Sequence, residues 1–377
     1  MREGNRKVSI IRERSLNPWE MQNYLDLPGI ELVPIAPEDN DVTLEDLPVM
    51  PVVVTKARER VLSLVDLATT LKYIVADRAQ RRRFFPHTLA RVLKGVDIVH
   101  TVDLKSKATY TAAMLKDRCG YRLVVTVWEN IPFLYRQKPR WTSMRRVALE
   151  HVDLIHAVTQ DAADVLAVEG VTDAPVRVVP YGVDVRRFKP GEDTRRPFFT
   201  VLFIGRQVYE KGVFELLNAL RLLNMHGVKD VRLLMVGEST AEVRNTANEL
   251  GISDLVEFTG FVSYADLQGM YSRADAFVLP SIPLRGWKEQ YGMVLLEAMA
   301  SGLPVIASRS GSIPEVVGDV AVLVGPGEYK DIAHAIRSLK DDGSLRERLR
   351  RMSRERAEMR FDARVTGARL SEMYRAL

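Results

Sequence analysis

A single cysteine, Cys119, in 377 residues excludes an internal disulfide and points to a reducing compartment. The chain has no apolar run near the ~20 residues that span a bilayer, so any membrane contact is peripheral. It opens without a short apolar leader, and a cytoplasmic location is expected. Six histidines are scattered without ligand spacing, and no Asp-x-Asp pair has a setting that suggests a metal, so no metal and no cofactor are expected. Nucleic acid is not an expected partner, because the basic residues lack a recognition helix, zinc-ligand spacing or an aromatic strand motif. No short-period repeat or low-complexity tract is present, which excludes solenoids and long disordered arrays.

What is present is apolar material, 46% of the chain, enough for two cores of ordinary size. The net charge of +5 is uneven: residues 78–150 hold sixteen Lys or Arg against five acids, whereas the first fifty residues are acidic. That basic segment either attracts a phosphorylated substrate or anionic headgroups, with Phe84 and Phe85 beside Arg81, Arg82 and Arg83 dipping into an interface, or is an ordinary solvated face over two core aromatics.

Short β-rich runs alternate with helical patterns throughout, the signature of parallel sheets wrapped by helices. Strands are predicted near residues 7–12, 30–35, 96–101, 123–127, 153–158 and 176–179, and again near 199–204, 231–236, 256–259, 276–279, 304–307 and 320–324. The fold class is therefore α/β, with two Rossmann-like domains built on parallel sheets. The Gly- and charge-rich stretch from Tyr181 to Pro190 suits a linker. It divides a first domain, 1–188, from a second domain, 189–360, and the helical tail 361–377 is expected to return to the first domain.

Two acids, Glu289 and Glu297, flank a strand-to-helix joint at Gly292. If the segment is mostly helical, eight residues at ~1.5 Å each separate them by roughly 12 Å, and ~100° steps leave them on different sides of the axis. They then read as hydroxyl-binding groups at opposite ends of a long ligand. Between them, Gln290, Tyr291, Gly292, Met293 and Val294 bring free N–H groups and the positive end of a helix, which favour a phosphate. Upstream, the strand ending at Ile204 opens into Gly205-Arg206 and, after four residues, Lys211-Gly212. Two cations at the carboxyl edge of a sheet match a diphosphate.

From Tyr181 to Val324 these residues resemble the retaining nucleotide-sugar glycosyltransferases of the GT-B fold, in the family 4-like group marked by a Glu-x7-Glu element. The matching motifs are Pro180-Tyr181-Gly182-Val183-Asp184 with Phe188, Gly205-Arg206 with Lys211-Gly212, Trp287-x-Glu289-Gln290-Tyr291-Gly292, Glu297-Ala298-Met299-Ala300 with Gly302-x-Pro304-Val305, and Pro314-Glu315-Val316-Val317. The resemblance implies that Arg206 and Lys211 hold the donor diphosphate, Glu289 meets the transferred sugar and Glu297 binds the ribose. It also implies that the two parallel sheets face each other across a cleft, with 1–188 as the acceptor-side domain, and that configuration is retained without a metal.

The first half departs from that pattern. The family's glycine-rich loop after the first strand is replaced by Arg12-Glu13-Arg14-Ser15-Leu16-Asn17-Pro18-Trp19, and Glu129 stands roughly where many members carry a histidine. Glu129 is either a base for the acceptor hydroxyl, a group that orients a sugar, or a loop acid that caps or pairs locally. His100 is a second candidate on the acceptor side, or a structural histidine, and Trp287 either walls the sugar pocket or packs in a core. The expected function is transfer of a hexosyl group from a nucleoside-diphosphate sugar to an acceptor hydroxyl. The basic segment suggests a lipid-linked or anionic acceptor in glycan or glycolipid synthesis and peripheral contact with an anionic membrane. A sugar phosphorylase, a nucleotide-sugar epimerase or a non-catalytic glycan- or membrane-binding protein on the same fold are the rival readings.

Overall fold

The computed structural model describes residues 5–37, 40, 41, 47, 49–54, 86–191 and 197–377. The segment Arg81 to Phe85, proposed above as an interfacial patch, lies outside the described residues. Among those described, no helix is long and apolar enough to cross a membrane.

The first sheet comprises β1 (Arg6–Ile11), β2 (Ile30–Pro37), β3 (Val52–Val54), β4 (Ile98–Val102), β5 (Arg122–Val127), β6 (Leu154–Ala157) and β7 (Val176–Val178). The second comprises β8 (Phe199–Ile204), β9 (Val231–Val236), β10 (Val256–Gly260), β11 (Ala276–Leu279), β12 (Val305–Ser308) and β13 (Ala321–Val324). The spatial orders are β3-β2-β1-β4-β5-β6-β7 and β10-β9-β8-β11-β12-β13, and every pairing within both sheets is parallel. Continuous apolar runs such as Val201-Leu202-Phe203-Ile204 are buried because helices cover both faces of a parallel sheet. All twelve predicted strands occur, with ends shifted by one or two residues. The thirteenth, β3, is not among the predicted strands.

The helices that matter to the site are α1 (Pro18–Met21), α2 (Lys107–Cys119), α3 (Pro139–His151), α4 (Gln160–Val168), α5 (Val213–Met225), α6 (Met293–Ala300), α7 (Gly343–Phe361) and α8 (Ala363–Arg375). α7 ends at Asp362, which takes extended backbone and caps the start of α8. There the chain pairs with the interdomain segment: Val183 N–H donates to Phe361 O (2.7 Å) and Ala363 N–H to Val183 O (3.0 Å). α8 then lies against the first sheet, where Arg6 donates to Tyr374 O (2.7 Å). In each sheet the strand order reverses beside the first strand, between β1 and β4 and between β8 and β11. Open α/β sheets bind ligands in that crevice.

Candidate active site

In the second domain a cavity of about 680 Å³ opens at this reversal. Gly205 and Arg206 line it from the β8 loop, Gly237 to Thr240 from the β9 loop, Phe261, Val262 and Tyr264 from beyond β10, and Met293, Val294 and Glu297 from α6. The amides of a first helical turn have no intrahelical acceptor, so α6 points donors and its positive end at the cavity. Gly292 makes the joint: its φ of 78° is left-handed, and an added Cβ would stand 2.9 Å from Leu295 Cδ1. The Arg206 side chain is 69% exposed and makes a 3.5 Å contact to Glu210, so it can turn onto an anion.

Glu297 lies on the cavity wall but is almost wholly buried. Tyr271 Oη donates to its Oε2 at 2.7 Å. Burial pushes the Glu297 carboxyl up to about 7, against the opposing pull of the Tyr271 hydrogen bond and of Arg187. Such an acid gains most from a ligand that brings further hydroxyl donors.

Lys211 and Glu289 do not line this cavity; the structure pairs them beside it. Lys211 Nζ stands 2.6 Å from Glu289 Oε2, the same oxygen accepts from Ser281 Oγ at 2.8 Å, and the ammonium lies 5.0 Å from the Trp287 ring centroid. The backbone is held as tightly. Glu289 O accepts from Asn130 Nδ2 (2.8 Å) and Ser312 N (3.0 Å), and at Gly311 (φ 53°) a Cβ would stand 2.0 Å from that oxygen. Asn130 belongs to the first domain, so the Glu289 loop is set by both.

The remaining predicted residues fall elsewhere. Gln290 is exposed. The Tyr291 ring is buried, donating to Tyr181 O at 2.5 Å and lying against Trp128, so its side chain joins the domains and does not face the cavity. His100, expected on the acceptor side, is fully buried and its ring nitrogens are taken by Tyr374 Oη and Thr126 Oγ1, each at 2.6 Å. It has no exposed face to offer a ligand, because α8 from the far end of the chain covers it. The ~12 Å estimate also needs correction: α6 begins only at Met293, so the first half of the Glu289–Glu297 segment is loop.

Glu129 lines a second cavity of about 500 Å³ in the first domain, with Asp103, Lys105, Tyr135, Trp141 and Arg145 among its walls. Its Oε1 accepts from Ile131 N at 3.1 Å, and its Oε2 is buried without a hydrogen-bond partner among the described residues. The β1 loop explains the missing glycines. Glu13 adopts a left-handed φ of 51°, and its carboxylate accepts from Lys107 N (2.5 Å) and Ala108 N (3.0 Å) at the start of α2, filling the anion site at the first sheet's reversal with the chain's own charge. Ser281 and Asn130 were missed although each neighbours a noted motif. Tyr271 carries no sequence signal, since its contact crosses between helices. Among the described residues no group of three or more His, Cys, Asp or Glu is arranged to hold a metal.

Comparison with known proteins adds to this geometry. Residues 184–356 match the family model described as glycosyl transferases group 1, and residues 20–187 match that of Glycosyltransferase Family 4. The chain is 29% identical over 308 residues to the MMP alpha-(1->4)-mannosyltransferase of Mycolicibacterium hassiacum, covering 76% of this chain and 72% of that protein. It is 35% identical over 220 residues to the D-inositol 3-phosphate glycosyltransferase of Corynebacterium jeikeium, where it spans about half of each protein, 52% and 51%. The fold is similar to the crystal structure of Anabaena HepE in complex with UDP and glucose, with a TM-score of 0.77 at 18% identity over 99% of this chain and 100% of that one.

Proposed function

The chain belongs to the family 4-like glycosyltransferases of the GT-B fold, and from that premise we propose that it moves a hexosyl group from a nucleoside-diphosphate sugar to an acceptor hydroxyl with retention. The observation that carries this is the convergence of Arg206, the α6 N-terminus and Glu297 on one cavity, with the Lys211–Glu289 pair at its side. The ribose hydroxyls meet Glu297, and the diphosphate meets α6, Arg206 and Lys211. Drawn towards phosphate, Lys211 frees Glu289 to accept hydroxyls of the sugar. As the bond from the anomeric carbon to the diphosphate oxygen breaks, the fixed cations and helix end take up the developing negative charge. The acceptor oxygen bonds to that carbon and its proton passes to Glu129 or to the departing phosphate. UDP in the Anabaena structure supports the nucleotide assignment, and the glycosyltransferase relatives support a glycan acceptor. A glycan or lipid-linked acceptor enters from the Glu129 cavity.

The direct test is a thermal-shift panel of nucleoside diphosphates and nucleotide sugars. A ligand at about 100 times its Kd stabilises by ~2.7 kcal/mol, so a clear rise in Tm is expected for one base. The donor assignment fails if none shifts the melt. Proton linkage at Glu297 gives a second expectation. Because burial pushes that carboxyl up to about 7, protonation competes with ribose binding, and nucleotide affinity should decline as pH drops from 8 to 6, steepening to about tenfold per unit below the pKa. Calorimetric titration across that range checks it, with Glu297→Gln as the control whose profile lacks this component. Identical profiles for the two proteins would remove Glu297 from the ligand.

A further inference from the structure

We propose that Trp19 of the first domain stacks on the nucleoside of the donor and makes nucleotide binding a property of both domains. This rests on the donor assignment above and adds a residue that no matched motif contains. Among the described residues, Trp19 is the one from the first domain that lines the 680 Å³ cavity, whose other walls come from the second domain.

Its setting is that of a rigid platform. Asn17 Oδ1 caps α1 by accepting from Glu20 N at 2.8 Å, and Pro18 fixes the first helical position. Around Trp19 the turn is locked: Glu20 is buried on Arg12, Met21 is in the core, and Gln22 Nε2 donates to Trp19 O (2.7 Å) and to Tyr264 Oη (3.1 Å). The indole alone of this turn remains 37% exposed. Its ring packs edge-on against Tyr264, with centroids 6.0 Å apart, and Arg187 braces Tyr264 at 4.4 Å.

The cavity beside it has aromatic walls at Trp19, Tyr264 and Phe261, the last 79% exposed. An anion does not recognise such walls; a flat base or the apolar face of a ribose does. The diphosphate finds its charges at the α6 end, and the ribose-binding Glu297 lies between.

The test is calorimetric titration of UDP, GDP and ADP into the full-length wild type, Trp19→Ala and Trp19→Phe, with inorganic pyrophosphate as a ligand that has no nucleoside. For the base that binds best, Trp19→Ala is expected to weaken Kd by roughly tenfold or more, the scale of base–aromatic stacking. Trp19→Phe should stay within about threefold, and pyrophosphate should bind wild type and Trp19→Ala alike. Quenching of tryptophan fluorescence by the nucleotide should shrink in Trp19→Phe. Unchanged nucleotide affinity in Trp19→Ala, or an equal loss for pyrophosphate, overturns the proposal. Absence of nucleotide binding in the wild type overturns the donor assignment itself, and this proposal with it.

Discussion

Lys211→Ala is expected to lower turnover by about a thousandfold or more, a larger loss than for any other single side chain of the site. Two effects combine. The cation beside the diphosphate disappears, and Glu289, whose Oε2 accepts from Lys211 Nζ and Ser281 Oγ at 2.6 and 2.8 Å, keeps at that oxygen one neutral donor among the described residues. It must then rearrange, which spoils its contact with the sugar. Lys211→Arg should rescue little, since a planar fork does not fit a slot shaped for a point charge under Trp287. Glu289→Gln preserves shape and is expected to cost about a hundredfold, while the double variant should be no slower than Lys211→Ala, as members of one unit are not additive. Nucleotide release from the donor that supports wild-type turnover measures all four proteins. Turnover within tenfold of wild type in Lys211→Ala would take that residue out of the reaction.

The fold was legible because parallel strands buried on both faces must be continuously apolar, as Val201 to Ile204 and Ala276 to Leu279 are. The cavity-lining residues were legible for a related reason: Gly205, Arg206, Met293, Val294 and Glu297 follow the carboxyl ends of neighbouring strands, where the topology gathers ligand groups. Contacts set by tertiary distance were not. Nothing local tells that Lys211 meets Glu289 across 78 positions, or that α8 brings Tyr374 onto His100 from 274 positions away. Spacing misled where a period was assumed, since the segment before Met293 is not helical. Trp19 was visible only as part of an unfamiliar loop; its direction depends on the cap and locked turn around it.

That loop begins at Arg12, and Glu20→Ala is expected to destabilise the first domain by about 3–5 kcal/mol. Arg12 is 1% exposed, and all its donors are used: Nε on Glu20 Oε1 at 2.5 Å, Nη1 on the carbonyls of Ile11 and His100, Nη2 on the hydroxyls of Tyr24 and Tyr181. Removing Glu20 strands a buried guanidinium that cannot deprotonate. Replacing both members by apolar residues, as in Arg12→Met with Glu20→Leu, should recover much of the loss. The neighbouring histidines give the same region a pH dependence. Val179 O can only accept, so His156 Nε2 carries its proton; Thr126 then donates to His156 Nδ1, His100 Nε2 to Thr126, and Tyr374 to His100 Nδ1. This chain needs both rings neutral, and burial with Arg12 nearby holds His156 down to about 4 and His100 well below its ordinary range. An unfolded chain takes up protons first as pH falls, so the contribution is complete above about 6.5 and is lost progressively towards 4. Melts of wild type and His156→Gln between pH 8 and 4.5 should therefore converge as the medium becomes acidic. Parallel curves would show that the protonation of His156 carries none of the pH dependence of stability.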